Sequence, residues 1–266
     1  LRLGHKLTLI SAPAGFGKST LLSQWVRRRD NMTPPLQVGW VSLDEGDNDP
    51  VRFWTYFITA LQRIKAGIGE ASLAALRSTQ PAPVEALLTG LINEIAETST
   101  QLVLILDDFH AITDRQIHDG LLFLLRNPPP QMHLILSGRS DPPWPLARLR
   151  ARREMTEMRA GDLRFTPGEA YAFLNEMMEL GLRAEDIAAL DARTEGWIAG
   201  LQMAALSMRD KEDAPGFVAS LSGSHRYIAD YLTDEVLNQQ SPDVQDFLLK
   251  TAILDRLTGP LCDAVT

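Results

Sequence analysis

Short apolar runs alternate with longer amphipathic runs over the first 160 residues, and this alternation predicts strands followed by helices. The strand-like segments are 6–12, 38–43, 102–108, 133–137 and 155–159. They lack the polar alternation of a sheet with one face in water. Helix-start signals lie between them, such as Asp49 followed by Pro50. Helices are expected over 18–29, 51–64, 83–97 and 114–126. We therefore predict an α/β fold with a parallel sheet covered by helices on both faces.

After about residue 165 the strand-like runs stop and helical patterns follow. Thr166 and Glu169 form a capping box with Pro167 at the first helical position, so a helix is expected to begin there. Further helices are expected over 183–193, 197–209, 227–238, 243–251 and from residue 259. Ser241 is expected to cap the helix over 243–251. Residues 210–224 are rich in turn formers and charge, which is typical of a linker.

A glycine-rich turn, APAGFGKST (12–20), joins the first predicted strand to the first predicted helix. Backbone N–H groups in such a turn converge on one anion, and the following helix adds the positive end of its dipole. Lys18 is expected to reach the β- and γ-phosphates, Ser19 to bind Mg²⁺ and Thr20 to contact the α-phosphate. The pattern opens with Ala12 where the strict one has glycine, which is a permitted variant. The predicted ligands of a bound ATP or ADP are Ala14, Gly15, Phe16, Gly17, Lys18, Ser19 and Thr20.

Two acids end the third predicted strand, LVLILDD (102–108). Asp107 is expected to hold Mg²⁺ directly or through water, and Asp108 to polarise or position the attacking water. Since aspartate reaches less far than glutamate, hydrolysis is expected to be slow. Arg139 follows the fourth strand, where it can pair with a γ-phosphate; a surface salt bridge is the alternative. The predicted catalytic residues are Lys18, Asp108 and Arg139.

Three further polar features are less specific. His110 follows the acid pair and either senses the phosphate or serves as a structural hydrogen-bond partner. The segment RLRARR (148–153) is either a solvated basic helix or a contact with a neighbouring subunit's nucleotide or acidic face. The acidic segment DEGDNDP (44–50) lacks the spacing of a calcium loop. It is expected to cap the next helix and to line the phosphate side of the sheet.

Composition restricts the class of protein further. The 266 residues carry a net charge of −8, which argues against direct binding of DNA by this chain. The single cysteine, Cys262, excludes an internal disulfide and favours a reducing, cytoplasmic compartment. No apolar run approaches the ~20 residues that span a bilayer, so no membrane partner is expected. The chain begins with Leu1 and not Met, which we interpret as a piece of a longer protein.

Several segments together resemble one known module. In order they are LTLISAPAGFGKSTLLSQW, VGWVSLDEGDNDPVRFWTYFITAL, LVLILDDFH, LILSGRSDPPWPLARLR, TEGWIAGLQMAALSMR and YIADYLTDEVLNQQSPDVQDFLLKTAILDRLTGPLCDAV. They resemble the ATPase module of MalT-type regulators, ATP-dependent bacterial transcription factors of the LuxR group and members of the STAND class of P-loop NTPases. The resemblance implies a P-loop nucleotide-binding domain over 1–162, a helical domain over 163–212 and a winged-helix-like domain over 213–266.

What the resemblance implies is a switch. ADP holds the resting module closed, and ATP with an inducer opens it so that it self-associates, with slow hydrolysis. C-terminal sensor and DNA-binding domains, absent here, would sense the inducer and bind promoters. Arg139 matches the family's sensor arginine. Gly200, Leu201 and Gln202 fall where many relatives have a base-contacting Gly-Leu-Pro, and Gln202 departs from that pattern.

Two other functions stay open at this point. A P-loop phosphotransferase or kinase would need an acceptor pocket, and its turnover would be stimulated by a small-molecule acceptor. A binding module that holds ADP without hydrolysis would show no dependence on Asp108. The leading prediction remains the nucleotide-dependent switch.

Overall fold

The computed structural model of the protein describes residues 5–28, 36–78, 83–208, 226–254 and 256–266. The chain divides into two compact units, Leu1–Leu163 and Arg164–Thr266. The linker predicted over 210–224 lies outside the described residues. Within the described residues, no helix is long and apolar enough to cross a membrane.

The first unit is built on a parallel sheet of five strands. These are β1 (Leu7–Ser11), β2 (Gln37–Ser42), β3 (Leu102–Asp107), β4 (Met132–Gly138) and β5 (Met155–Arg159). Their order is β2-β3-β4-β1-β5, and all four pairings are parallel. The helices are α1 (Lys18–Arg28), α2 (Pro50–Ile64), α3 (Glu70–Leu76), α4 (Val84–Ala96), α5 (Arg115–Arg126), α6 (Leu146–Ala151) and α7 (Ala160–Leu163). The predicted fold class is confirmed.

Helices cover both faces of the sheet, as the apolar strands predict. Every residue of β1, β3 and β4 is buried, whereas the edge strands β2 and β5 are only partly buried. Side chains alternate between faces along a strand. Leu104 therefore packs in the core formed with α2, α4 and α5, and Ile105 in the core formed with α1. The first core is tight, since a Cβ on Gly120 of α5 would lie 2.5 Å from the Trp54 ring of α2.

The predicted helix starts agree with the structure. The Asp49 carboxylate accepts from the amide of Arg52 at 2.7 Å, and Pro50 is the first residue of α2. Sequence periodicity did not predict α3, which has only seven residues. Gly69 precedes it with a φ of +72°, and such glycines are typical of turns. The Ser72 hydroxyl donates to Leu87 O of α4 at 3.2 Å, so packing against α4 supports this short helix.

The second unit contains only helices in its described residues. They are α8 (Pro167–Tyr171), α9 (Ala184–Thr194), α10 (Ile198–Met208), α11 (Arg226–Leu232), α12 (Pro242–Thr251) and α13 (Gly259–Val265), with π-helical turns at Ala172–Met177 and Thr233–Leu237. The capping box forms, with Glu169 accepting from the amide of Thr166 at 2.8 Å. The expected cap at Ser241 is wrong in one respect: Ser241 occupies the N-cap position, but its side chain makes no capping bond.

The core of the second unit forms around α10. Leu201, Ala204 and Ala205 are fully buried there. The Trp197 ring lies directly over Gly200, and a Cβ on that residue would be only 2.6 Å from the ring. Glycine at this position therefore makes room for the ring. That ring packs edge-on against Tyr231 at 5.7 Å between centroids. The Trp197 segment is thus a packing element, and its contact with a nucleotide base stays a prediction.

Candidate nucleotide-binding site

The carboxyl ends of parallel strands meet at one edge of a sheet, and the predicted site residues lie at that edge. The glycine-rich loop leaves β1, the acid pair ends β3, and Arg139 follows β4 directly. Since β4 lies between β3 and β1 in the strand order, Arg139 leaves the sheet between the acid pair and the loop. The topology therefore gathers three separate sequence motifs into one place.

The loop between β1 and α1 has the backbone that its glycines predict. Gly15 and Gly17 have φ values of +78° and +70°, in the left-handed region that costs other residues about 1–2 kcal/mol. The amide of Leu21 donates to Gly17 O at 2.8 Å in the first turn of α1. The amides of residues 18–20 consequently have no acceptor within the helix. Such N–H groups, together with the helix dipole, form a binding site for a phosphate.

Lys18 is a buried cation within this loop. Its side chain is 7% exposed, and Nζ donates to Ala12 O at 2.8 Å and to Pro13 O at 3.0 Å. Burial lowers the pKa of Lys18 below its ordinary value of 10.5; Asp108 opposes this, Arg139 lowers the pKa further, and Asp107 raises it. Asp107, Asp108 and Arg139 therefore lie near enough to Lys18 to influence its charge. Phosphates bound beside Lys18 would favour its charged form.

The two acids of β3 differ in exposure and backbone. Asp107 is 3% exposed and its Oδ1 accepts from the amide of Asp108 at 3.1 Å. Asp108 has a φ of +55°, and its side chain is 47% exposed. A left-handed residue other than glycine is uncommon, and such strain concentrates at functional sites. The turn thus keeps one carboxylate inside the sheet edge and directs the other toward solvent.

His110 lies beside Asp108 and against β4. Its Nδ1 is 3.8 Å from Asp108 Oδ1. A Cβ on Gly138 would lie 3.3 Å from the backbone nitrogen of His110, so this glycine permits the close approach. Burial lowers the pKa of His110 below its ordinary 6.5 and Arg139 lowers it further, while Asp108 opposes the shift. The imidazole is therefore neutral near pH 7.

The acidic segment after β2 caps helices as predicted. Asp44 and Asp47 form a capping box around the 3₁₀ turn Glu45–Asn48. Asp47 is 1% exposed, and its Oδ1 lies 2.9 Å from Arg52 Nε. That this segment also lines the phosphate side of the site stays a prediction.

The Asn48 side chain links this segment to the loop after β3 by hydrogen bonds. Its Oδ1 accepts from the amides of Thr113 and Asp114 at 2.6 and 2.9 Å. Its Nδ2 donates to Ala111 O at 2.8 Å and to Glu45 O at 3.0 Å. One side chain therefore fixes the course of the backbone just after His110. The sequence did not predict this linking role, because an asparagine in an acidic segment is equally typical of a solvent-exposed turn.

Ion pairs of Asp141 hold one end of the loop after β4. Its carboxylate pairs with the Arg159 guanidinium through two contacts, one of 3.0 Å, and lies 3.8 Å from Arg150 Nη2. The hydrogen bond from Arg159 holds the pKa of Asp141 below its usual range. Arg150 also makes two 2.8 Å bonds to Glu157. Within the basic segment 148–153, Arg150 is thus already paired with acidic residues of its own chain. A contact of this segment with a neighbouring subunit stays a prediction.

Contacts of Trp144 with other aromatic rings hold the other end of that loop. Its indole Nε1 donates to His118 Nδ1 at 3.0 Å, and the Phe109 ring packs edge-on against His118 and at a tilt to Trp144. Because indole can only donate, His118 Nδ1 accepts, and Nε2, 2.9 Å from Ile112 O, carries the hydrogen. Sequence reasoning did not find these contacts, because each depends on residues far apart in the chain.

Two protein-family models match the chain. One, described as an AAA domain, matches residues 2–141, more than half of the chain. The chain belongs to the AAA domain family. The other, described as the MalT winged helix domain, matches residues 233–266. Together they confirm that a P-loop domain is followed by a winged-helix part.

Known proteins similar to this AAA chain match it over nearly its whole length. The HTH-type transcriptional regulator MalT of Yersinia enterocolitica is 36% identical over 266 residues, which cover 98% of this chain and 29% of that protein. The serine/threonine-protein kinase PknK of Mycobacterium tuberculosis is 35% identical over 267 residues, covering 100% and 24%. The chain thus spans less than a third of these relatives. The predicted resemblance to MalT-type modules is confirmed.

A solved structure shares the fold. A structure of Drosophila ORC bound to DNA superposes with a TM-score of 0.51 at 12% identity, over 93% of this chain and 62% of the other. At this identity the likeness shows the fold alone. The AAA family implies nucleotide binding, typically with Mg²⁺.

Proposed function

We propose that this chain is the ATP/ADP-dependent switch module of a bacterial transcriptional regulator and that it hydrolyses ATP slowly. The grouping of Lys18, Asp107, Asp108 and Arg139 at one sheet edge is the observation that carries the proposal. The same stretch resembles part of a transcriptional regulator and part of a protein kinase. The two relatives therefore share the part that matches this chain, although one is a transcriptional regulator and the other a protein kinase.

Each grouped side chain has a role in this proposal. The loop amides bind the phosphates, and Lys18 Nζ exchanges its bonds to the loop carbonyls for bonds to the β- and γ-phosphates. Asp108 positions the attacking water. Arg139 pairs with the γ-phosphate and so distinguishes ATP from ADP.

Ser19 and Asp107 suit a magnesium ion. A hydroxyl and a carboxylate are the hard oxygen donors that Mg²⁺ prefers. Ser19 is exposed at the start of α1, and Asp107 ends the buried strand β3, so both belong to the same sheet edge. When bound, the ion would neutralise phosphate charge.

We further propose how this module serves a longer regulator. It comprises a nucleotide-binding domain over 1–162, a helical domain over 163–212 and a winged-helix-like domain over 213–266. The ATP state self-associates in response to an inducer, and sensor and DNA-binding domains elsewhere in the regulator supply the signal and the promoter contact. With a net charge of −8, this chain alone has no direct affinity for DNA.

The first experiment is to denature the purified protein and identify any released nucleotide by chromatography. Near-stoichiometric ADP would support a resting switch whose nucleotide exchange is gated. A chain that releases no nucleotide is then titrated with ATP and Mg²⁺. Absence of binding in that titration would refute the proposed function.

Two variants separate binding from hydrolysis. Lys18→Ala is expected to weaken ATP binding by about 100-fold, since a charge-assisted bond contributes about 1.5–3 kcal/mol. Asp108→Asn is expected to bind ATP normally and to lower turnover by about 100-fold. Lys250→Ala and Asp119→Asn, at exposed ion pairs, are the matched controls. Unchanged turnover in Asp108→Asn would show that the catalytic role proposed for Asp108 is wrong, whereas binding without any turnover in the wild type would favour a module that only holds ADP.

A phosphotransferase is a second candidate, since nucleotide sites with a glycine-rich phosphate loop serve phosphoryl transfer as well as hydrolysis. Its test is to measure ATP turnover with and without small-molecule and peptide hydroxyl acceptors. Stimulation by an acceptor, with labelled phosphate transferred to it, would replace the switch proposal. Turnover that releases only inorganic phosphate would support hydrolysis.

A further inference from the structure

Three histidines of the first unit allow a comparison of structural and functional roles. Both ring nitrogens of His118 are bonded, one to Trp144 Nε1 and one to Ile112 O. Both nitrogens of His133 are bonded as well, to Thr8 Oγ1 at 2.8 Å and to His5 O at 2.5 Å. The two buried histidines His118 and His133 therefore have partners at both ring nitrogens.

His110 departs from this pattern. Its Nδ1 is buried and has no hydrogen-bond partner among the described residues. The nearest carboxylate oxygen, Asp108 Oδ1, is 3.8 Å away, which is too long for a hydrogen bond. A buried polar atom without a partner costs free energy, so such an atom requires an explanation. The position of His110 beside Asp108, whose backbone is in the left-handed region, offers such an explanation.

The surroundings of His110 restrict what it can do. Lys18 and Arg139 act on it as positive charges, and Asp107 and Asp108 as negative charges. Burial and the two cations hold the pKa of His110 below 6.5. A neutral imidazole can donate one N–H without adding a third positive charge beside the phosphates. Catalytic hydrogen bonds are often long before substrate binds and shorten in the complex.

We propose that His110 is a positioning residue for ATP hydrolysis, whose Nδ1–H donates to the Asp108 carboxylate when nucleotide is bound and so orients that carboxylate toward water. This inference rests on the proposed function. Two observations support it: Asp108 lies in a left-handed turn, and the backbone of His110 lies close against Gly138. Around bound metals, groups that orient a ligand through a hydrogen bond typically contribute 10–100-fold, and we expect an effect of the same order here.

The kinetic test compares two substitutions of His110. The Nδ2 of His110→Asn lies close to the place of Nδ1 and can donate, whereas His110→Leu fills the space without a donor. Turnover of His110→Leu is expected to fall by about 10–100-fold with the Kd for ATP within twofold of the wild type. His110→Asn is expected to regain most of that loss. His5→Leu, at the opposite edge of the sheet, is the matched control.

A spectroscopic readout accompanies the kinetics. In the full chain with ¹⁵N-labelled histidines, the Nδ1 resonance of His110 is expected to move when ADP and aluminium fluoride are added. The resonances of His118 should stay, and the movement should be absent in Asp108→Ala. The measurement reports the hydrogen bond itself and does not depend on turnover.

The outcomes separate this inference from the proposed function. Wild-type turnover in His110→Leu, an unmoved Nδ1 resonance, or equal losses in the Leu and Asn variants would each overturn the positioning role alone. A wild-type chain that neither binds nor hydrolyses ATP would refute the proposed function, and the inference would fail with it. Should His110→Leu not fold, the Asn variant and the resonance decide, because both keep a polar side chain at this position.

Discussion

Replacing Asn48 by alanine tests whether one side chain outside the nucleotide motifs holds the loop that carries Asp108 and His110. Asn48 Oδ1 accepts from the amides of Thr113 and Asp114, and Nδ2 donates to Ala111 O and Glu45 O. Alanine removes these four bonds and a fifth, from Thr113 Oγ1 to Asn48 Oδ1 at 3.3 Å. The segment 108–114, which carries Asp108 and His110, then loses its attachment to the loop after β2.

The expected cost follows from the number and exposure of these bonds. An intramolecular hydrogen bond contributes about 0.5–1.5 kcal/mol net, and an amide left without an acceptor costs more if water cannot reach it. The amide of Thr113 is accessible, so water replaces part of what Asn48 supplied. We expect local opening of the loop to become easier by about 1–2 kcal/mol. That corresponds to roughly 5–30-fold faster exchange of the Thr113 and Asp114 amides.

Hydrogen exchange followed by mass spectrometry measures this directly on peptides that contain 108–114. Asn127→Ala is the matched control, because the side chain of Asn127 makes a single exposed bond, to Phe123 O at 3.1 Å. Asn48→Asp keeps the acceptor and loses the donor, so its exchange should lie between those of the wild type and Asn48→Ala. Exchange of the Thr113 and Asp114 amides at the wild-type rate in Asn48→Ala would refute the fastening role.

Two further predictions concern stability. Gly120→Ala places a Cβ 2.5 Å from the Trp54 ring. It should lower the free energy of unfolding by about 1–3 kcal/mol in urea titrations, whereas Gly161→Ala, with no atom within 4 Å, should not. Burial lowers the pKa of His133 below its unfolded value of 6.5. The unfolded chain therefore binds more protons as pH falls through 6.5, and stability should fall by at most about 1.4 kcal/mol per pH unit. An unaltered pH dependence in His133→Gln would contradict this.

Most of the sheet was predictable because its signal is local. A strand buried on both faces must be apolar throughout, and β1, β3 and β4 are buried at every position. Helix starts were equally accessible where a side chain caps its own helix, as Asp49 does. Ser241 shows the limit of this reasoning, since the N-cap position can be occupied without a capping bond.

The site was predictable only where its residues belong to contiguous motifs. The glycine-rich loop, the acid pair and Arg139 each follow a strand, and strand order alone brings them together. The residues that fasten the loops were not predictable. Asn48 contacts atoms 63–66 positions away, and Trp144 contacts His118 across 26 positions. Such pairs depend on how the loops fold over the sheet edge, and no local pattern encodes that.

The charges at this edge explain why the site suits a nucleotide accompanied by a divalent cation. Lys18 and Arg139 supply two positive charges, and Asp107 and Asp108 supply two negative ones. A phosphate chain alone would bring further negative charge against two carboxylates, one of them buried and poorly screened. In the proposed function, a cation held by Asp107 would remove that repulsion and would leave the exposed Asp108 free to act on water. The proposal therefore assigns metal binding to the buried acid and water positioning to the exposed acid beside it.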